Sequence, residues 1–228
     1  MWDTYAPEPR MRLNLGIRRR LAPLCDGDRR KIELLNALLF SLPGSPILYY
    51  GDEIGMGDDI WLHDRNGVRT PMQWNAGPNA GFSEAAGRLY APVIDNERYG
   101  FAKINVEAQR ADPDSLWHTL RRMIALRKGH PVFGQGKADF PQAEPKAVLA
   151  LVVCDDQEQL LAVYNLSGIA QECDIDLTRW QSAGARDLFS GQPLPVLADR
   201  PYPITLSLSL KPYQYLWLAL ESDHWLYS

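Results

Sequence analysis

At about residue 135 the chain changes period. Upstream, two long segments space their apolar residues as one face of a helix does, every third or fourth position. Downstream there are only short apolar or alternating runs: Ala147 to Cys154, Gln159 to Asn165, Glu172 to Leu177, Ala185 to Phe189, Pro193 to Leu197, Ile204 to Leu210 and Tyr213 to Leu220. Turn residues such as Asp155-Asp156, Ser167-Gly168 and Ser190-Gly191 separate them. Short strands at near-regular intervals predict an antiparallel sandwich. The last strand is expected to end in Trp217-Leu218-Ala219-Leu220, before a short tail with Trp225 and Tyr227. An α/β part, residues 1–134, is thus followed by a β part, residues 135–228.

The α/β part opens irregularly. Pro7 and Pro9 oppose a helix, and Asn14-Leu15-Gly16-Ile17 has the composition of a turn. A helix is expected after Asp26-Gly27, with Asp28 as its N-cap and Ile32, Leu34, Leu35, Leu38, Leu39 and Leu42 as its apolar stripe, until Pro43 stops it. The turn Pro43-Gly44-Ser45-Pro46 then leads into a predicted strand, Ile47 to Tyr50. From Gly51 to Trp74 follows a long loop with Asp52, Glu53, Asp58, Asp59, Asp64, Arg65 and Arg69. A charged loop at the carboxyl end of a strand is where α/β enzymes place their chemistry. The Gly/Pro/Asn-rich passage from Asn75 to Pro92 has only Phe82, Leu89 and Tyr90 as apolar anchors and is expected to be loop. A second helix, capped by Asp112-Pro113 or Asp114, turns Leu116, Leu120, Met123, Ile124 and Leu126 inward and ends at Gly129-His130-Pro131.

Composition narrows the function classes. With 46% hydrophobic and 23% charged residues, the 228-residue chain is globular, and its net charge of −4 offers no field for nucleic acid. The clusters Arg18-Arg19-Arg20 and Arg29-Arg30-Lys31 are expected to be solvated helix ends and faces. Cys25, Cys154 and Cys173 form no CxxC pair and suggest neither a disulfide framework nor a zinc site. Asp58 and Asp59 lack a calcium-loop spacing and are expected to be solvated. The amino-terminal residues lack the apolar core of a signal peptide, and no run approaches the roughly 18 apolar residues of a membrane span. A cytoplasmic location, with neither a nucleic acid nor a membrane as partner, is the expectation.

At this point the residues resemble a family. PGSPILYYGDEIGM resembles the eighth barrel strand and following loop of the α-amylase superfamily, glycoside hydrolase family 13, and DRNGVRTPMQW resembles the next loop in its oligo-glucosidase-like branch. YAPEPRMRLNLGIRRRLAPLCDGDRRKIELLNALLFSLPG and YGFAKINVEAQRADPDSLWHTLRRMIALRKGHPVFG narrow the likeness to the trehalose synthase group, which interconverts maltose and trehalose. The resemblance is specific in the first 135 residues and generic beyond. It implies that residues 1–134 are the C-terminal segment of a catalytic (β/α)8 TIM-like barrel, with the loop after its eighth strand, and that residues 135–228 are a C-terminal β-sandwich domain.

The family's three catalytic acids follow the fourth, fifth and seventh strands, the last in an Asn-His-Asp segment. None of His63, His118, His130 and His224 is preceded by Asn or followed by Asp, so no catalytic residue is assigned within this chain. Those acids are expected upstream of Met1, which resembles an internal methionine of the longer enzymes. A retaining glycosidase needs two carboxyl groups about 5–5.5 Å apart, and an isomerase must also hold the released glucose away from water. The resemblance implies that the loop after the eighth strand sends an arginine to the blind end of the glucose pocket. Arg65 and Arg69 both occupy that motif, with Asp64 beside them; Arg65 is favoured because it follows Asp64 in the exposed part, while Arg69-Thr70-Pro71 fixes the loop. A structural ion pair within the loop is the other reading of both arginines. Asp52 and Glu53 are strand-end supports on this resemblance, Tyr49 and Tyr50 core and pocket wall, and Gln73 and Trp74 a lock of the loop onto the barrel. No cofactor is expected, calcium in the family being bound through residues upstream. The partners implied are maltose, trehalose, glucose and the missing N-terminal part of the barrel, without which the chain is expected to be inactive. Two alternatives stay open: a fragment of an oligo-1,6-glucosidase-like α-glucosidase, and a non-catalytic carbohydrate-binding or interaction module.

Overall fold

The computed structural model describes residues 1–195, 197–198 and 204–222. The chain forms two compact units, one of Met1–Glu33 with Ile47–Arg121, the other of Leu34–Pro46 with Arg122–Ser228.

The first unit begins with a short helix, α1 (Trp2–Tyr5), and a hairpin of β1 (Arg12–Leu13) and β2 (Gly16–Ile17) that pairs Arg12 with Ile17. The turn foreseen at Asn14 is this hairpin's, with Asn14 in the left-handed region that Asn tolerates, φ 54°. Helices α2 (Leu21–Leu24) and α3 (Arg29–Ser41) follow, α3 passing into the second unit after Glu33. Asp28 caps α3 as expected, its Oδ1 accepting from the Arg30 amide at 3.0 Å.

The predicted strand Ile47 to Tyr50 is not formed, and Ile47 is 84% exposed. A strand exists only through hydrogen bonds to a neighbour. The first unit offers no ladder among the described residues except the β1–β2 hairpin, so apolar, β-branched sequence alone did not suffice. From there the chain runs as loop with 3-10 turns at Asp52–Ile54, Asn66–Val68 and Pro78–Gly81, as the composition of residues 75–92 suggests. Helix α4 (Val106–Ala111), unforeseen, is capped by Asn105, whose Oδ1 accepts from the Ala108 amide at 2.8 Å. Helix α5 (Leu116–Gly129) carries Leu116, Leu120 and Met123 buried as expected. Its cap is Ser115, not Asp112 or Asp114: Ser115 Oγ accepts from the His118 amide at 3.4 Å, while Asp112 holds the Asp114 amide in the preceding turn. Ile54, Met56, Met72 and Ile94 form the unit's core, with Tyr99, Ile104, Val106 and Trp117 packed on it.

The second unit holds the rest of α3 and α5, helix α6 (Val132–Gln135) and two antiparallel sheets. The strands are β3 (Lys137–Asp139), β4 (Ala143–Glu144), β5 (Val148–Cys154), β6 (Gln159–Asn165), β7 (Gln171–Asp176), β8 (Ser182–Asp187), β9 (Pro193–Pro195), β10 (Leu197–Ala198), β11 (Ile204–Leu210) and β12 (Tyr215–Ser222). One sheet has the order β10-β11-β7-β4, the other β3-β5-β6-β12-β8-β9. Every predicted run overlaps a strand, but that from Pro193 to Leu197 divides between β9 and β10, which lie in different sheets, and β3 and β4 are too short to show a period. Val196, within the run from Pro193, and the tail with Trp225 and Tyr227 lie outside the described residues.

Alternation explains the layering. Val148, Ala150 and Val152 of β5 meet Cys173 and Ile175 of β7 and Leu206, Leu208 and Leu210 of β11 in one core between the sheets. The other face of β6 and β12 is buried too. Tyr164 lies beside Ser41 of α3, its hydroxyl bonded to Ser41 Oγ and accepting from Trp217 Nε1 at 3.2 Å, and Trp217 packs 5.0 Å from Phe133 of α6. Burial on both faces is why β5 and β6 read as unbroken apolar runs. Helix α3 therefore buries Leu34, Ala37, Phe40 and Ser41, and the expected stripe is turned so that Leu35 and Leu42 are exposed. Cys25, Cys154 and Cys173 are free thiols, with burial raising Cys25 and Cys173 to about 11.

Candidate functional site

The loop from Tyr50 to Trp74 has almost no regular hydrogen bonding of its own, so its buried carbonyls need donors from elsewhere. They come from Arg18 and Arg20, while Arg19 pairs with a loop carboxylate, and none of the three is solvated as the sequence suggested. Arg18 is buried, and its guanidinium donates to Arg10 O at 3.1 Å, to Ile60 O at 2.7 Å, and to the carbonyl oxygens of Leu62 and Asp64. Arg19 Nε lies 2.9 Å from Asp58 Oδ2, which also accepts from the Arg20 amide at 2.7 Å. Asp58, expected to be solvated, is thus a tie with a side chain only 4% exposed. Burying a charge is unfavourable without such a partner, and local spacing could not reveal a partner almost forty positions away.

Arg20 closes the other end of the loop. Its Nη1 donates to Tyr50 O at 2.6 Å and lies 3.5 Å from Asp52 Oδ1, with its guanidinium 5.0 Å from the Tyr49 ring and 4.8 Å from the Tyr50 ring. Burial pushes the Asp52 carboxyl up to about 6; Arg20 pulls it down less strongly, and Glu53 adds to the rise. Asp52 is therefore a support at this turn.

Residues 59–67 close into a ring. The Asp59 amide donates to Gly67 O at 2.9 Å, and a Cβ at Gly67 would lie 2.1 Å from Asp59 O, so only glycine fits there. Asp59 Oδ1 holds the Trp61 amide at 2.9 Å, and the Arg10 guanidinium sits 4.4 Å from the Trp61 ring. Asp64 and Arg65 project from this ring, both exposed.

Arg69 lies elsewhere, on the wall of a cavity of about 600 Å³ with Tyr50, Glu53, Thr70, Trp74, Phe82 and Tyr90. Asp64 and Arg65 are not among the lining residues. Neither arginine forms an ion pair among the described residues, so a structural salt bridge does not account for them. Tyr50 is pocket wall as foreseen, its hydroxyl donating to Thr70 O at 2.8 Å. Gln73 does lock the loop, donating from Nε2 to Tyr99 O at 3.1 Å and to Ile104 O. Trp74 does so only through its backbone, donating to Ala80 O at 2.8 Å, while its half-exposed ring faces the cavity. The sequence left Phe82 and Tyr90 as isolated anchors in a polar loop, and that isolation was the available signal. Among the described residues no group of three or more His, Cys, Asp and Glu side chains is arranged to hold a metal ion.

Residues 18–136 match the family described as Alpha amylase, catalytic domain, and residues 139–217 match Maltogenic Amylase, C-terminal domain. A trehalose synthase of Pimelobacter sp. (strain R48) is 49% identical over 212 residues, 91% of this chain and 37% of that protein. A trehalose synthase of Thermus thermophilus is 46% identical over 233 residues, 99% of this chain and 24% of that protein. Among solved structures, an α-amylase from H. orenii superposes with a TM-score of 0.65 at 25% identity, covering 89% of this chain and 38% of that one. The chain thus spans about a quarter to two fifths of the length of these three proteins.

Proposed function

The chain belongs to the α-amylase family, and on that premise we propose that it is the C-terminal portion of an enzyme that interconverts maltose and trehalose by intramolecular glucosyl transfer. Its fold is the C-terminal part of a (β/α)8 TIM-like barrel followed by an antiparallel β-sandwich. The observation that carries the functional reading is the 49% identity to a trehalose synthase over 91% of the chain. We divide the chain at residue 134, with the barrel segment before it and the sandwich domain after it.

In this reading the catalytic carboxylates come from the part of the enzyme outside this sequence, and this chain contributes the sugar pocket's far wall. Arg69 is the arginine that meets the sugar, because it lines the cavity without an ion pair and its planar fork can donate to two hydroxyl oxygens. Arg65 and Asp64 are not part of that wall. Trp74, Phe82 and Tyr90 supply apolar cover that helps to exclude water, which an isomerase needs if glucose is to be kept for the return step. The free thiols support a reducing, cytoplasmic setting.

The test is an assay of the purified 228-residue chain on maltose, following trehalose and free glucose, alone and co-expressed with the remaining barrel of the Pimelobacter relative. No product alone and trehalose from the pair is the expected result. Trehalose from the chain alone would overturn the assignment of the carboxylates to the missing part. Glucose as the main product of the pair would point to an α-glucosidase parent.

A further inference from the structure

The ring of residues 59–67 contains a dipeptide with chemistry of its own. Of the chain's eight asparagines only Asn66 is followed by glycine. Both halves of that pair are unengaged: among the described residues no hydrogen bond uses the Asn66 carboxamide, and none uses the amide of Gly67, although Gly67 is buried. Buried amides are nearly always bonded, so this one is held in place without a partner of its own. The chain's Asp-Gly pair differs, since the Gly27 amide, after Asp26, donates to Ala22 O at 2.8 Å. Asn66 itself is half-buried, next to the exposed Arg65, and so within reach of water.

These groups are the reactants of an intramolecular acyl substitution. The Gly67 nitrogen gives its proton to solvent base and attacks Asn66 Cγ; the bond from Cγ to the carboxamide nitrogen breaks, and ammonia leaves with a solvent proton. Water then opens the five-membered imide at one carbonyl to give aspartate, or at the other to give β-linked isoaspartate. Glycine, without a Cβ, does not hinder the attack. What restrains it is the closed ring. The Val68 amide on Arg65 O at 3.2 Å, the Arg69 amide on Asn66 O at 3.0 Å and the Asp59 amide on Gly67 O at 2.9 Å fix the peptide that must turn. Conversion therefore proceeds from the opened ring, and Arg18, bonded to the carbonyls of Ile60, Leu62 and Asp64, sets how often the ring opens.

We propose that Asn66-Gly67 is a deamidation site gated by the Arg18 guanidinium, and that its isoaspartyl product releases the loop carrying Arg69. The β-linkage adds one main-chain atom to a ring that cannot absorb it: a Cβ at Gly67 would already lie 2.1 Å from Asp59 O. The aspartyl product keeps the length of the backbone and only adds a charge beside Arg65, so the ring survives it.

Peptide mapping by mass spectrometry of the purified 228-residue chain, kept at mildly alkaline pH, reads the change from carboxamide to acid at Asn66 as two product peptides. Asn66 is expected to convert ahead of the other asparagines. Arg18→Ala, which loses three carbonyl bonds to the ring, should speed the conversion about a hundredfold, and Arg18→Lys about tenfold. The chain unfolded in urea sets the upper limit of the rate, and far-UV circular dichroism confirms the fold of each variant. The Asp59 amide should lose its protection from hydrogen exchange in the isoaspartyl fraction and keep it in Asn66→Asp. Conversion at Asn66 no faster than at the other asparagines, a rate unchanged in both Arg18 variants, or an isoaspartyl fraction with a protected Asp59 amide overturns the proposal. No readout involves a sugar, so the proposal stands or falls apart from the functional reading above.

Discussion

Replacing Arg18 with alanine should release the loop that carries Arg65 and Arg69 while leaving the sandwich untouched. One guanidinium donates to the carbonyls of Arg10, Ile60, Leu62 and Asp64. Alanine removes all of these donors; three of the carbonyls, those of Ile60, Leu62 and Asp64, belong to the ring of residues 59–67, so at about 1 kcal/mol net for each, water partly replacing the lost bonds, the ring loses about 3 kcal/mol. At about 1.4 kcal/mol per factor of ten, its opening constant should rise roughly a hundredfold. Native-state hydrogen exchange reads this directly at the Asp59 amide, bonded to Gly67 O at 2.9 Å, and at the Asn66 amide, bonded to His63 O at 3.1 Å. Amides of β5 and β6, in the second unit, serve as the control. Arg18→Lys keeps the charge but concentrates its donors at one point, so about half the loss, roughly 1.5 kcal/mol, is expected. If both loop amides keep their protection within threefold in Arg18→Ala, the guanidinium does not hold the loop and the reasoning fails.

Asp52 should make stability pH-dependent in an unusual direction. Its native pKa of about 6 lies above the unfolded value of about 3.9, so the native state holds the extra proton between those values. Stability from this group is present below about pH 4, falls by up to about 3 kcal/mol as pH rises to 6, and is flat above. Urea midpoints from pH 4 to 7 should show that slope reduced in Asp52→Asn, and parallel profiles would contradict it. In the second unit, Tyr164→Phe leaves Trp217 Nε1 and Ser41 Oγ without their shared partner and should cost about 2 kcal/mol by urea denaturation. A loss under about 0.5 kcal/mol would mean that the buried hydroxyl contributes little.

Much of the fold was legible because it is local. Asp28 and the residues behind it state a capped helix within a few positions, and the alternation or unbroken apolarity of residues 148–154, 159–165 and 204–210 states strands. The partner of β5 is equally visible, because β5 and β6 are consecutive antiparallel strands paired across a short turn, whereas β11 pairs mainly with the distant β7. The motif around Asp64 to Trp74 marked where to look for a site.

What tertiary structure alone decided was every role that depends on a distant partner. Ile47 to Tyr50 has strand-like sequence, yet a strand is a property of two segments, and the second is not among the described residues. Arg18, Arg19 and Arg20 look like solvent-facing charge until the carbonyls of residues 60–64 and the carboxylate of Asp58 arrive from across the loop to bury them. Arg65 and Arg69 are alike in sequence. A ring closed at Gly67 leaves the first on its outer surface and the second on the cavity wall, because the direction of a loop side chain is set by contacts its own neighbours do not encode. The sequence determined helices, strands and the family motif, since these follow from spacing along the chain. Which charge is buried, and which arginine meets the cavity, followed only from the closure of the loop in three dimensions.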